Sequence, residues 1–363
     1  MIATRMFLAV GTLAVLTLGA LTYDELPRAN APVRVLVYHD MEGLAGQDNP
    51  MTFRFNHQER YPEGREYLVA DLNAVIAGLF DGGATQVDVV DAHGSGNPEP
   101  DVMTPKLDPR AKQVFRDQPF RQYVDLVAPN RYDAVVAVGM HAKTGSRGFA
   151  SHTYTLGIEF QINGKTITES ELVGYSWGRV GVPVIMVTGD DRLQKDLATM
   201  PWLQYVVTKF ATAADSAQLR PITDVHAEMR AAAKVAVDNR GRAKAMTLRG
   251  PIRAALRAVP PASLELMDGV PGVTYHDNTV EFTAKDFGAV YDGLVALVGV
   301  ASQSYSRLYP ETLRAALGQA QGDSLVKGFS DRLFQRWMDV ESGRWKPQAP
   351  AAPVAGRRYH GAN

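Results

Sequence analysis

Val33-Arg-Val-Leu-Val-Tyr38 runs without a break into His39-Asp-Met-Glu-Gly43. The first stretch is dense in β-branched and apolar residues, as a buried strand requires. The second is polar and ends in glycine, so the strand must stop there. Two more stretches repeat this grammar. Val87 to Val90 leads into Asp91-Ala-His93-Gly94, and Ala134 to Val138 into Gly139-Met-His141-Ala142. Between the first two, Leu68, Leu72, Val75 and Leu79 recur at helical spacing over Glu63 to Phe80, with Gly82-Gly83 to end the helix. Val182 to Val187 is a further strand, closing in Gly189-Asp-Asp191. Strands alternating with helices predict an α/β fold with a mostly parallel sheet flanked by helices. Such sheets carry their sites beyond the carboxyl ends of the strands, which would gather the polar clusters on one side.

Further along, Ser151 to Asn163 alternates like a hairpin strand with Asn163-Gly164 as its turn, and Val225 to Val237 reads as a helix. Beyond lie the apolar run Ala245 to Leu248, the pair Val273 to Tyr275 and Val280 to Phe282 around Asp277-Asn278, and a helix from Ala284 to Val300. These predict a smaller α+β domain over 221–340, following an α/β domain over 33–220, with Pro221 to Asp224 as the boundary. Arg5 before the uncharged run Met6 to Leu21, then Ala29-Asn-Ala31, marks 1–31 as a signal peptide or an N-terminal anchor. Export to the periplasm or outside the cell is the expectation. Residues 345–363, rich in Pro and Ala, read as a flexible tail.

Composition narrows the function. A formal net charge of −1 leaves no cationic surplus for a nucleic-acid backbone. With no cysteine in the chain, thiolate metal sites and disulfides are excluded, so any metal must be held by His, Asp and Glu. Of the eight histidines, His39, His93 and His141 all fall at the ends of predicted strands, the first two with acids beside them. Neutral imidazole with carboxylate is the ligand set zinc uses in hydrolysis. Asp40 and Glu42 can turn toward one point once the strand stops pleating. His152 follows His141 across a glycine-containing loop, and spacing alone leaves it as acid, base, nucleophile or hairpin cap. Glu169 and Glu171 share a helix start; one is a candidate ligand and the other a first-turn acid, without spacing saying which. Asp190-Asp191 reads better as a helix N-cap than as catalytic, and Asn73 as structural.

Taken in order, Tyr-His-Asp40-Met-Glu42-Gly, Asp-Ala-His93-Gly, Gly-Met-His141-Ala, Ser-His152-Thr and Val-Pro-Val-Ile-Met-Val-Thr-Gly-Asp-Asp resemble the bacterial D-aminopeptidase family of zinc peptidases. The resemblance runs from about Val33 to Gln303 and takes in Thr283-Ala-Lys-Asp286. It implies two zinc ions, with Asp40 bridging them and Glu42, His93, His141 and Glu169 completing the shells. It implies His152 as the catalytic histidine, short peptides bearing N-terminal D-residues as substrates, and assembly into a decamer of stacked rings. Where the family shows Gly-Glu-x-Gly-Leu-Asn, this chain has Thr168-Glu-Ser-Glu-Leu-Val173, which puts substrate preference in doubt. Two other readings stay open: another metal-dependent amidase or esterase on this scaffold, and an exported solute-binding protein that needs no metal.

Overall fold

The computed structural model of the protein describes residues 32–97, 99–115, 121 and 123–346. The expected signal or anchor over 1–31, and the tail beyond residue 346, lie outside the described residues. Among the described residues, no helix is long and apolar enough to cross a membrane.

A six-stranded sheet forms from β1 (Arg34–His39), β2 (Gln86–Asp91), β3 (Lys112–Gln113), β4 (Ala134–Met140), β7 (Val184–Gly189) and β8 (Gln204–Val207), in the order β3-β2-β1-β4-β7-β8. Every neighbouring pair is parallel. Side chains alternate between the two faces, so one short run feeds two cores. Val35 and Val37 pack toward Leu68, Leu72, Val75 and Leu79 of α1 (Tyr61–Asp81) and Val225, Met229 and Ala233 of α4 (Ile222–Asp238). Leu36 and Tyr38 face the other way, toward Leu172 and Trp177 of α2 (Glu169–Gly178) and a second sheet. The Trp177 indole N–H donates to the Tyr38 hydroxyl at 3.0 Å, so these two polar groups buried on that face satisfy each other.

The second sheet is antiparallel, with β5 (Ile158–Ile162), β6 (Lys165–Thr166), β11 (Ile252–Ala258), β12 (Thr274–His276) and β13 (Thr279–Ala284) in the order β12-β13-β11-β5-β6. The hairpin expected around Asn163-Gly164 is present, but its strand begins only at Ile158. Ala150, Tyr154 and Gly157 take positive φ, and three such residues within eight positions break regular pleating, so the preceding stretch is a loop carrying His152. β5 pairs with β6 through the hairpin and, on its other edge, with the distant β11, and α5 (Phe287–Ser302) covers this sheet through Val290, Tyr291 and Leu294. The expected apolar run Ala245 to Leu248 is not a strand; Met246 instead packs on α2, where Gly174 and Gly178 leave it room. A short α3 (Asp191–Asp196), the ribbon β9 (Lys209–Ala213) with β10 (Ser216–Leu219), and two C-terminal helices, α6 (Leu308–Leu317) and α7 (Gln319–Glu341), complete the chain.

Candidate metal centre

Because the main sheet is wholly parallel, β1, β2 and β4 all end at the same edge, and Asp40, His93 and His141 follow within two residues of those ends. The β1 and β4 ends are clamped together. Asp40 N donates to Val138 O at 2.8 Å, and Gly43 N to Gly139 O at 2.7 Å. Glycine is required at both points of contact. A Cβ on Gly43 would lie 1.9 Å from Met140 O, and Gly139, at φ +73°, would bring one to 2.4 Å from Asp40 O. Close backbone approach is what lets Asp40 reach histidines on both flanking strands.

Two groups of donors result. Asp40, Glu42 and His93 have ligand atoms within 4.8 Å of one another, and so do His141, His152 and Glu169. His93 Nδ1 lies 3.0 Å from Asp40 Oδ1 and 3.1 Å from Glu42 Oε2. His141 Nε2 lies 3.4 Å from the other Asp40 oxygen and 3.3 Å from Glu169 Oε1. One carboxylate therefore joins the two groups. His152 stacks on His141 with ring centroids 3.9 Å apart, its Nε2 3.7 Å from Glu169 Oε1. All six sequence-predicted site residues converge.

The remaining atoms orient these six. His93 Nε2 lies 2.8 Å from Phe53 O, and His152 Nδ1 lies 2.7 Å from Ala150 O; as N–H donors to carbonyls, each leaves the ring's other nitrogen free to face the cluster. His93 N donates to Asp91 Oδ1 at 2.7 Å, fixing the turn after β2. Glu169 accepts from the Tyr123 hydroxyl and, at 2.6 Å, from Tyr154 N. Glu171, two residues on, points the other way. It closes a capping box with Thr168 and pairs with Lys165 Nζ at 2.6 Å, which makes it the structural acid of the two. Asp190 caps α3 through Arg192 N and Leu193 N, and Asn73 ties Lys106 O and Asp108 N to α1. His39 is buried but belongs to neither group; burial holds its imidazole down at about 3, so it is neutral.

Tyr123, Phe53, Tyr154 and Lys209 had no sequence signal. Lys209 is fully buried, and its Nζ donates to Glu42 O at 2.6 Å, Gln47 O at 3.0 Å and Gln47 Oε1 at 3.1 Å, with the Phe149 ring 4.1 Å away. That ammonium stitches the loop after β1 in place, and its burial pulls the group down to about 7. A cationic residue flanked by strand residues gives no hint of buried partners 162 and 167 positions upstream.

Charge is the problem this site poses. Three carboxylates share a buried space, and burial, then the adjacent Glu42, pushes Asp40 above the usual carboxylate range. Burial works against charge on the others too, but is outweighed: His93, then Asp40, bring Glu42 down to about 2, and His141 and His152 lower Glu169. In return, Glu42 and Asp40 hold His93 well above an ordinary imidazole, and Glu169 and Asp40 lift His141 to about 10, both against burial. His152 goes the other way, to about 4, through burial and the His141 ring beside it. The cluster thus demands positive charge, from protons or from cations. His141 Nε2 is buried with no hydrogen-bond partner, an atom left open for a ligand bond. Imidazoles with carboxylates are a fitting donor set for zinc.

A cavity of about 540 Å³ opens over the cluster, lined by Glu42, His93 and His152 on its polar side and Phe53, Phe55 and Leu156 among its apolar walls. A parallel α/β sheet whose strand ends hold such a cluster beneath a cleft is the build of a hydrolase of the metallopeptidase class. Residues 33–296 match peptidase family M55, D-aminopeptidase, and the chain belongs to that family. It is 26% identical over 270 residues to the D-aminopeptidase of Bacillus subtilis (strain 168), covering 73% of this chain and 96% of that one. In fold it is similar to the solved Zn-dependent D-aminopeptidase DppA from Bacillus subtilis, described as a self-compartmentalizing protease. The TM-score is 0.67 at 24% identity, over 74% of this chain and 98% of that chain.

Proposed function

We propose that this chain is a zinc-dependent aminopeptidase that removes N-terminal D-residues from short peptides or amides at a dinuclear centre. The observation that carries the reading is the single Asp40 carboxylate reaching His93 with one oxygen and His141 with the other. Asp40, Glu42 and His93 would hold one ion, and Asp40, His141 and Glu169 the second. When bound, zinc supplies Lewis acidity and a bound water acidic enough to ionise near neutral pH. Membership of the D-aminopeptidase family and the zinc dependence of the solved relative support the metal and the substrate class.

The chain's own residues would do the rest. His152 is neutral, 14% exposed and borders the cavity, with Nδ1 tied to Ala150 O. Its Nε2 is therefore the atom that accepts a proton at the scissile bond and returns it to the leaving amine. The Glu42 carboxylate at the cavity floor would pair with the substrate's free ammonium, the group that separates an aminopeptidase from an endopeptidase. Phe53, Phe55 and Leu156 would take the apolar part of the N-terminal residue and exclude water. Homo-oligomeric assembly, a decamer if the family pattern holds, and export directed by residues 1–31 belong to the same reading. The test is elemental analysis of the purified protein followed by a panel of D- and L-aminoacyl amides. Bound zinc with D-selective release supports it; a metal-free protein that binds such solutes without cleaving them refutes it. Metal-dependent hydrolysis confined to other amides or esters would favour the second reading, to which the replaced neighbours of Glu169 lend weight.

A further inference from the structure

The cavity over the donor cluster carries opposite charge at its floor and its rim. Of the described residues that line it, Glu42 is the one carboxylate and Arg54 the one Lys or Arg. Arg34, Arg110, Arg220 and Arg230 each pair with a carboxylate elsewhere on the surface. Arg54 does not. It is exposed, and its guanidinium has no hydrogen-bond, ion-pair or ring partner among the described residues. Five N–H donors in a planar fork, the shape that grips a carboxylate with two parallel bonds, are thus left open over the site.

The backbone beneath this free side chain is fixed. Phe53 sets its ring edge-on to His93 and to Phe149, with centroids 5.9 Å and 6.3 Å away, and Phe55 does the same to Tyr61 at 5.5 Å. His57 N donates to Arg54 O at 2.9 Å and closes a turn. Position along the cavity is fixed as well. Phe53 O is the carbonyl that lies 2.8 Å from His93 Nε2, and one peptide bond joins it to Arg54. The guanidinium is therefore tethered within about one arginine side chain of the group that holds His93. A leaving part of one or two extended residues, at roughly 3.5 Å each, covers a reach of that order. A short peptide has an ammonium at one end and a carboxylate at the other. Glu42 at the floor suits the first and Arg54 at the rim the second, with the scissile bond between them.

We propose that Arg54 takes the free C-terminal carboxylate of the substrate and so directs this site to di- and tripeptides with an unblocked C-terminus. The assignment rests on the aminopeptidase reading and narrows it. A longer peptide carries its carboxylate past the guanidinium, and an amide offers it no charge to pair with. Because that carboxylate takes no part in the chemistry, the contact is the same before and during bond breaking, and it acts on KM rather than kcat.

The test compares D-alanyl-glycine with D-alanyl-glycinamide on the zinc-loaded full chain. The natural chain should favour the acid by about 10- to 100-fold in kcat/KM, the worth of hydrogen bonds to a charged group, with the difference lying in KM. Arg54→Gln should bring the acid-to-amide ratio to about one, and Arg54→Lys should keep part of the preference. Equal use of acid and amide by the natural chain, or a preference that survives Arg54→Gln, overturns the proposal. D-alanyl-glutamate α-amide, whose one carboxylate is on the side chain, separates the two sources of that group. If it is cleaved as well as the acid, the C-terminal assignment falls. Titration calorimetry of the same ligands on His152→Ala protein reads affinity without turnover. Tighter binding of the acid, lost on adding Arg54→Gln, upholds the contact even where the natural chain cleaves neither ligand, a result that would sink only the aminopeptidase reading. Since the Arg54 side chain is exposed, unchanged circular dichroism should accompany its replacement.

Discussion

The two halves of the donor cluster share Asp40 but are built for different work. On one side stand two carboxylates and one imidazole, Asp40, Glu42 and His93, with no side chain more than 7% exposed. On the other stand two imidazoles and one further carboxylate, His141, His152 and Glu169, with His152 reaching toward the cavity. In the proposed reading the first half would hold a cation by charge, and it is locked from behind by Phe53 O, Asp91 and Lys209. The second holds charge less strongly and contains the one donor histidine of the cluster whose surroundings keep it neutral. On the proposed mechanism, charge density would anchor the metal and His152 would move protons. The difference teaches that two near-symmetric donor groups would divide their tasks through what each histidine's second nitrogen and nearest charges are.

The strongest break in this comparison is Asp40→Asn, because Asp40 alone belongs to both halves. Metal content should fall below one ion per chain by elemental analysis, with activity at the assay background. His152→Ala comes next and should separate the halves: metal stays, and turnover drops by about 10²–10⁴-fold, the usual worth of a positioned acid–base group. Loss of metal from this variant would make His152 a ligand instead.

Lys209→Met tests the lock behind the first half. It strips partners from two buried carbonyls and should lower stability by roughly 2–3 kcal/mol, read by denaturant unfolding, while weakening metal retention at Glu42 more than at Glu169. The smallest effect belongs to Glu171→Gln. It disturbs the capping box and the pair with Lys165, costs about 1 kcal/mol and leaves metal content unchanged; metal loss there would exchange the roles of Glu169 and Glu171.

Much of the main sheet was legible because a parallel strand buried on both faces must be a continuous apolar run, and Val35 to Tyr38 and Ala134 to Val138 are such runs. The three strand-end clusters followed from the same logic. Glu169 against Glu171 did not: residues two apart on a helix face nearly opposite directions, and only the capping geometry at Thr168 says which way each turns. Pairing of β5 with β11 joins residues about 90 positions apart, and no local periodicity encodes that. Tyr123 and Lys209 act through contacts with distant backbone or side chains, so their residue type carried no motif to read.

The central claim is that one carboxylate ties together two cation sites. Crystals of the zinc-loaded protein, with anomalous scattering recorded at the zinc edge, test it most directly. This account predicts two peaks, one against Glu42 and His93, the other against His141 and Glu169, with Asp40 touching both. A single peak, or peaks elsewhere with Asp40 free of metal, would contradict it.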